Sequence, residues 1–290
     1  MKIIPFILLF VAFSCGEAVK SKKSTANETL INRKSKSKNV DSKIDSIRKI
    51  SNKIIIKDSI SYKNGIEIKW KNRGEGEKLK SGEVVFINFL VDLEDGTHVG
   101  GNLLMKDVRS YPIMVGFNNE TKGLDFALKE LTVGDVATIK IPSNLAYGKK
   151  GFGLIPSNEN LIVAIKILKR IKPSISNKDF KVWNIQKSNA TSSLEFNLNT
   201  ELGFHFLASS KYKKNIINTL NEKSLNKLKY NELSKNNLFK KVLKNSKSGR
   251  KLFILTTKDF KYDLGDFSLG KYANSEVFFY VNVLSVKVSK

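Results

Sequence analysis

Residues 83–92 read Glu-Val-Val-Phe-Ile-Asn-Phe-Leu-Val-Asp, a stretch apolar on nearly both faces, and Leu93-Glu94-Asp95-Gly96-Thr97 follows at once. A strand followed by a reversal fits this order, because the glycine of Asp-Gly reaches positive φ without steric cost. After an irregular stretch, Thr121 is placed to cap a helix with Leu124, Ala127, Leu128 and Leu131 on one face, at spacings of three and four. Val133-Gly134-Asp135 turns the chain into a strand in which Ala137, Ile139 and Ile141 alternate with Thr138 and Lys140. Leu161–Leu168 makes a last apolar strand. The expected fold class is α+β, an antiparallel sheet wrapped around one amphipathic helix.

The N-terminus is of another kind. Lys2 precedes an apolar run from Ile3 to Phe13, broken by Pro5, and Ser14-Cys15 closes it. Such a core suits a secretory signal and is too short to span a bilayer as a mature helix. Cys15 is the sole cysteine, so no internal disulfide forms. Its position after a small residue resembles a bacterial lipobox, which implies lipidation of Cys15 and an envelope location, on a membrane. An ordinary cleaved signal with an incidental cysteine is the alternative. Residues 1–15 are thus expected to be a lipoprotein signal peptide. Residues 16–58, with Ser-Lys-Lys-Ser at 21–24 and Ser-Lys-Ser-Lys at 35–38, read as a flexible tether too poor in apolar groups to offset ordering entropy.

The chain of 290 residues has 51 Lys+Arg against 27 Asp+Glu, a formal charge of +24. Strong positive charge raises the question of nucleic acid or anionic membrane. Here the lysines are spread through the whole sequence among Asn, Ser and Ile, with no Arg-rich helix or aromatic–basic signature, so no specific nucleic-acid partner is expected. His98 and His205 are the only histidines, which rules out a His/Cys zinc site on inventory.

Three phrases give the central region a family. They are Leu93-Glu94-Asp95-Gly96-Thr97; Ile141-Pro142-Ser143-Asn144-Leu145-Ala146-Tyr147-Gly148 with Gly151 and Gly153; and Ile155-Pro156-Ser157-Asn158 with Leu161-Ile162-Val163 and Ile167-Leu168. In order and spacing they resemble the FKBP immunophilins, as does Gly65-Ile66-Glu67 with Gly74-Glu75-Gly76-Glu77. The resemblance covers residues 59–172 and implies a peptidyl-prolyl cis-trans isomerase acting on proline-containing unfolded or exported polypeptides. Rotation about a peptide bond meets a barrier of about 18–20 kcal/mol from its partial double-bond character. Lowering it needs a dry apolar pocket that favours the twisted amide, so no cofactor, metal or nucleophile is expected.

The resemblance implies a pocket of Phe89, Val99, Gly100, Glu120, Thr121, Leu124, Tyr147, Leu154, Ile155 and Val163, with Tyr147 as the catalytic-site residue whose hydroxyl bonds a substrate carbonyl. Tyr147 and Ile155 match the family pattern. Elsewhere the sequence departs: Phe89 replaces a tyrosine, Val99-Gly100 a Phe-Asp pair, Leu124 an aromatic floor that is commonly Trp, and Val163 a Phe, while Glu120-Thr121 stands for Val-Ile. Each aromatic buries about 150–250 Å², so these exchanges imply a wider, looser cleft. A weak isomerase and a peptide-binding chaperone both fit, and Tyr147 is either a substrate contact or a packing residue of the Ala-Tyr-Gly corner.

Residues 173–290 repeat the pattern faintly. Lys251–Lys258 echoes 137–144, Asn274–Leu284 echoes 158–168, and Leu238, Val242 and Leu243 before Gly249 mirror the helix before Gly134. No proline follows Pro173, and the Ala-Tyr-Gly corner is missing. A second, degenerate FKBP-like copy is expected here, with an unrelated β-rich domain as the alternative.

Overall fold

The computed structural model describes residues 58–104, 109–188, 197–259 and 263–288. Cys15, the expected signal segment and the expected tether up to residue 57 lie outside the described residues. The chain divides into two compact units, neither continuous in sequence. The first takes the described residues up to Gly76 with Asn88–Tyr111 and Gly134–Ile167; the second takes Glu77–Ile87, Pro112–Val133 and those from Leu168 onward.

Two seven-stranded sheets are present. One is built from β1 (Asp58–Ser61), β2 (Glu67–Asn72), β3 (Val84–Asp92), β4 (His98–Gly101), β5 (Tyr111–Met114), β6 (Val136–Ile141) and β7 (Leu161–Ile171). Its order is β1-β2-β6-β7-β3-β4, with β5 beside β3. The other holds β8 (Ile175–Ser176), β9 (Phe180–Gln186), β10 (Thr200–Ser210), β11 (Ile217–Asn218), β12 (Asn226–Lys229), β13 (Lys251–Thr256) and β14 (Val277–Val288). Its order is β8-β9-β13-β14-β10-β11, with β12 beside β10. Counted along the chain within each sheet, both paths read first, second, sixth, seventh, third, fourth.

This corrects the expected α+β class. The described residues hold only two α-helices, α1 (Lys122–Leu128) and α2 (Leu238–Val242), of seven and five residues. Strands reach eleven residues in β7 and twelve in β14. The architecture is therefore mostly antiparallel β, and neither half is a sheet wrapped around one helix. The physical reason lies at the end of α1. Its apolar face is expected to continue to Leu131, yet Glu130 and Leu131 donate to the carbonyls of Ala127 and Leu128 in tight three-residue steps. Gly134 then takes φ +94° and turns the chain out. Leu131 is fully buried without being helical, so spacing alone lengthened the helix.

In the first unit, burial alternates along the strands as the sheet period requires. Ile68, Ile139 and Val163 lie in one cross-strand row and Trp70, Ala137 and Ile165 in the next, all buried. The second sheet is buried far more completely. Phe204, Phe206, Leu252, Ile254, Phe279, Val281 and Val283 make a core with Leu238, Phe239, Val242 and Leu243 of α2 and its C-cap. The stretch 274–284, which echoes the last strand of the first half, lies largely in β14, and β14 pairs antiparallel with β10 and β13 inside this sheet. Its alternate residues Phe278 and Tyr280 are buried as well, and Phe278 lies 6.4 Å, ring to ring, from Phe117 of the same unit.

Candidate functional site

β6 ends at Ile141, and Pro142, which cannot donate to the ladder, releases the chain into a corner. A 3-10 turn over Ser143–Leu145 is held by the Ser143 amide donating to Asn160 Oδ1 at 2.9 Å. Tyr147 follows, half-buried, and a second 3-10 turn runs over Gly148–Lys150. Gly151 takes φ +58°, and a Cβ there would sit 2.5 Å from the carbonyl oxygen of Ile155, so only glycine fits. Phe152 and Ile155 then exchange both backbone hydrogen bonds at 2.8 Å, closing a two-residue turn over Gly153 and Leu154. The Asn158 amide donates to the Gly148 carbonyl at 2.9 Å and ties the end of the corner to its start.

The turn sets the side chains. Ile155 is buried at 4% exposure, whereas Leu154, at the tip, is 76% exposed. Tyr147 meets Phe152 with ring centroids 5.3 Å apart and planes tilted 30°. Phe89, on β3, is buried and meets Tyr111 edge-on at 5.6 Å. Asn102 fixes the backbone there: its Oδ1 accepts from the Phe89 amide at 2.7 Å, and its amide nitrogen donates to Asn88 Oδ1 and the Arg109 carbonyl. Val163 is buried on β7, in register with Ile139.

Val99 and Gly100 are half-buried on β4, where Gly100 pairs with Val91. The expected aromatic and carboxylate are absent here, but the backbone has not closed over their place. A Cβ on Gly100 would meet nothing nearer than Val91 Cβ at 3.9 Å, while one on Gly101 (φ +120°) would strike the Phe89 carbonyl oxygen at 2.4 Å. Gly100→Asp is therefore expected to change stability by no more than about 0.5 kcal/mol. Gly101→Ala is expected to lose about 1–3 kcal/mol from strain at a left-handed position. Urea denaturation of both variants checks the contrast; equal losses would defeat it.

Glu120, Thr121 and Leu124 belong to the second unit. Thr121 caps α1, its hydroxyl accepting from the Leu124 amide at 3.2 Å, and Leu124 is buried at 4% exposure. Asp125 in the first turn accepts from the amides of Gly116 and Asn118. Burial raises its pKa even against these donors.

Two aromatics were missed in the sequence. Tyr111 lies in what reads as an irregular stretch, though Tyr-Pro-Ile-Met is apolar throughout and forms β5. Phe152 sits between the two glycines of the corner motif, where the pattern drew attention to the glycines. Tyr111 packs on Phe89 and Phe152 on Tyr147, so each of these two residues keeps an aromatic neighbour.

The family model of the FKBP-type peptidyl-prolyl cis-trans isomerases matches residues 75–168. FK506-binding protein 1 of Candida glabrata is 33% identical over 115 residues, 38% of this chain and 97% of that protein. FK506-binding protein 4 of Aspergillus fumigatus is 35% identical over 104 residues, 36% of this chain and 21% of that protein. The chain thus spans about a fifth of the length of such larger relatives. The FKBP-type peptidyl-prolyl cis-trans isomerase FkpA of Aeromonas hydrophila is 26% identical over 121 residues, 42% of this chain and 44% of that one. With nearly the whole of a small relative matched, and the family model running over the Tyr147 corner, the chain belongs to the FKBP-type peptidyl-prolyl cis-trans isomerase family.

Proposed function

We propose that the protein is a peptidyl-prolyl cis-trans isomerase, acting on X–Pro bonds of exported polypeptides as a folding factor held in a bacterial cell envelope by lipid on Cys15. The carrying observation is the corner over 142–158, which holds the Tyr147 ring against Phe152 beside the buried Ile155. An apolar wall with one phenol suits the reaction. Proline packs on aromatic and aliphatic surface, the hydroxyl bonds a substrate carbonyl, and the twisted amide needs no acid, base or metal. The anchor rests on the sequence alone: a lone cysteine ending the apolar run, followed by polar chain. Several acyl chains, at about 0.8 kcal/mol per buried CH₂, would hold the protein firmly.

A second reading, a binding module that grips proline segments without turning them over, is favoured by Gly100 and Leu124. The first removes the family's carboxylate and the second its aromatic floor.

A proline-isomerisation assay on short peptides with the full chain separates the two. Tyr147→Phe keeps the ring on Phe152 and deletes one hydrogen bond, worth about 0.5–1.5 kcal/mol, so kcat/KM is expected to fall about 2- to 12-fold. Wild-type activity at the uncatalysed rate, with measurable peptide binding, would overturn the isomerase reading. Intact-mass analysis of the membrane fraction tests the anchor, which a soluble chain with free Cys15 would exclude.

A further inference from the structure

Lysine is spread through the whole sequence, but the fold gathers part of it at one end of the second sheet. From α2 into β13 the chain carries Lys240, Lys241, Lys244, Lys247, Arg250 and Lys251 with no carboxylate among them. The β13–β14 connection differs, setting Asp259, Asp263, Asp266 and Glu276 among its lysines.

The α2–β13 loop is held from both sides. Arg250 Nε donates to Asn184 Oδ1 at 2.9 Å and its Nη1 to Ser246 Oγ at 2.7 Å, so one guanidinium ties the loop to β9 and to its own buried serine. Just past β9, the Ser188 hydroxyl donates to the Ser248 carbonyl. Toward β14, the Gly249 amide donates to the Val283 carbonyl at 2.8 Å and the Ser248 hydroxyl to the Leu284 carbonyl at 2.7 Å. Asn245 and Gly249 shape the loop at φ +58° and +83°.

Lys187, Lys244 and Lys247 are exposed. Among the described residues, the ion pairs of the second sheet join Lys211 to Glu276, Lys227 to Glu201 and Lys229 to Glu232, and none takes in these three lysines or Arg250. Like charges brought together repel and weaken the fold, yet here the loop that carries them is fastened down. Leu284, 42% exposed, lies beside it. It is an aliphatic side chain, not the aromatic platform on which bases stack. Cations next to an exposed aliphatic group match the boundary between headgroups and acyl chains of an anionic bilayer.

We propose that this end of the second sheet, with Lys187, Lys244, Lys247, Arg250 and the neighbouring Leu284, docks on an anionic lipid surface. The face lies wholly in the second unit, and its role stands whether or not Cys15 carries lipid. It gives the C-terminal half a function that needs no proline pocket.

The test is cosedimentation with phosphatidylcholine vesicles, either plain or containing about a third phosphatidylglycerol to make the surface negative. The full chain carries Cys15→Ser throughout, so no acyl chain enters the readout, and plain vesicles report what the apolar run 3–13 contributes. Each cation near such a surface is worth about fivefold in affinity, so Lys187→Gln, Lys244→Gln and Lys247→Gln together are expected to weaken binding to the anionic vesicles about 100-fold. Lys187→Arg, Lys244→Arg and Lys247→Arg together should keep it. Lys63→Gln, Lys178→Gln and Lys223→Gln remove the same charge at exposed places elsewhere, and are expected to cost less than about fivefold. Leu284→Ser should cost several-fold without altering the dependence on salt. Equal losses in the two glutamine sets would show net charge alone at work and overturn the proposal. So would binding indifferent to phosphatidylglycerol, or an arginine set as weak as the glutamine set. An oligonucleotide of mixed sequence is run alongside. If the first glutamine set loses it while keeping the vesicles, the face serves nucleic acid and the proposal fails.

Discussion

Phe206→Ala is expected to destabilise the second unit by about 3–5 kcal/mol, the range for emptying a large buried aromatic site. Phe206 is fully buried on β10 and sits among four rings: Phe267 edge-on at 4.6 Å, Phe239 at 5.0 Å, Phe204 at 6.1 Å and Phe279 at 6.4 Å. Rings placed at these distances gain beyond their buried area, and removing the shared member costs several pairs at once. Two neighbours lie on strands and one on α2, so the cavity cannot be closed by moving a single element.

The consequence reaches past the second sheet. Segments 77–87 and 112–133 belong to the same unit as β8–β14. Phe117 lies against Phe278, and Glu120 is held by Lys214. Damage to the β10 core is therefore expected to release α1 and its cap together with the C-terminal strands, not to leave residues 59–172 intact. Hydrogen exchange in increasing urea reads this directly. Amides of α1 should lose protection in step with those of β10 and β14. Protection of α1 that survives loss of the second sheet, or a total loss under about 1 kcal/mol, would sink the expectation.

The strands were legible because their signals are local. Ala137, Ile139 and Ile141 alternate with polar residues in sequence and in burial alike. The Asp95-Gly96 reversal and the glycines of the corner declare themselves by chemistry, since Gly96 and Gly151 both take positive φ. The helix was misjudged because Leu131 keeps a helical spacing while the backbone has already left the helix. Which residues belong to one unit was not legible at all. Phe117 and Phe278 are far apart in the chain, and nothing in either segment names the other. The same holds for Lys214, one of many lysines until its ammonium is found on the Glu120 carbonyl. The corner declares itself through its glycines and tyrosine, whereas Phe152 between them, one aromatic in a turn, carries no period.

Asp135 is where a second large effect is expected, although in the sequence it marks only a turn. The residue is 1% exposed. Its Oδ2 accepts from Trp70 Nε1 at 3.0 Å and its Oδ1 from the Gly74 amide at 2.6 Å, while its carbonyl accepts from the Ile167 amide at 3.0 Å. One carboxylate thus joins β2, the chain leaving β2, and the start of β6, and the Arg73 guanidinium covers the Trp70 ring at 3.5 Å. Asp135→Ala leaves two donors facing each other's empty partner, one of them on a buried indole. Bonds to a charged group are worth about 1.5–3 kcal/mol each, so a loss of about 3–6 kcal/mol is expected. Asp135→Asn is the sharper variant. It offers one acceptor and turns an NH₂ toward the second donor, so it is expected to recover at most about half of that loss. Since β6 runs from beside Asp135 to Pro142, where the Tyr147 corner begins, peptide turnover should fall as the folded fraction falls, with KM of the folded fraction unchanged. Urea midpoints of the two variants decide the matter: an asparagine variant as stable as the wild type would show that the carboxylate is not what closes this corner of the sheet.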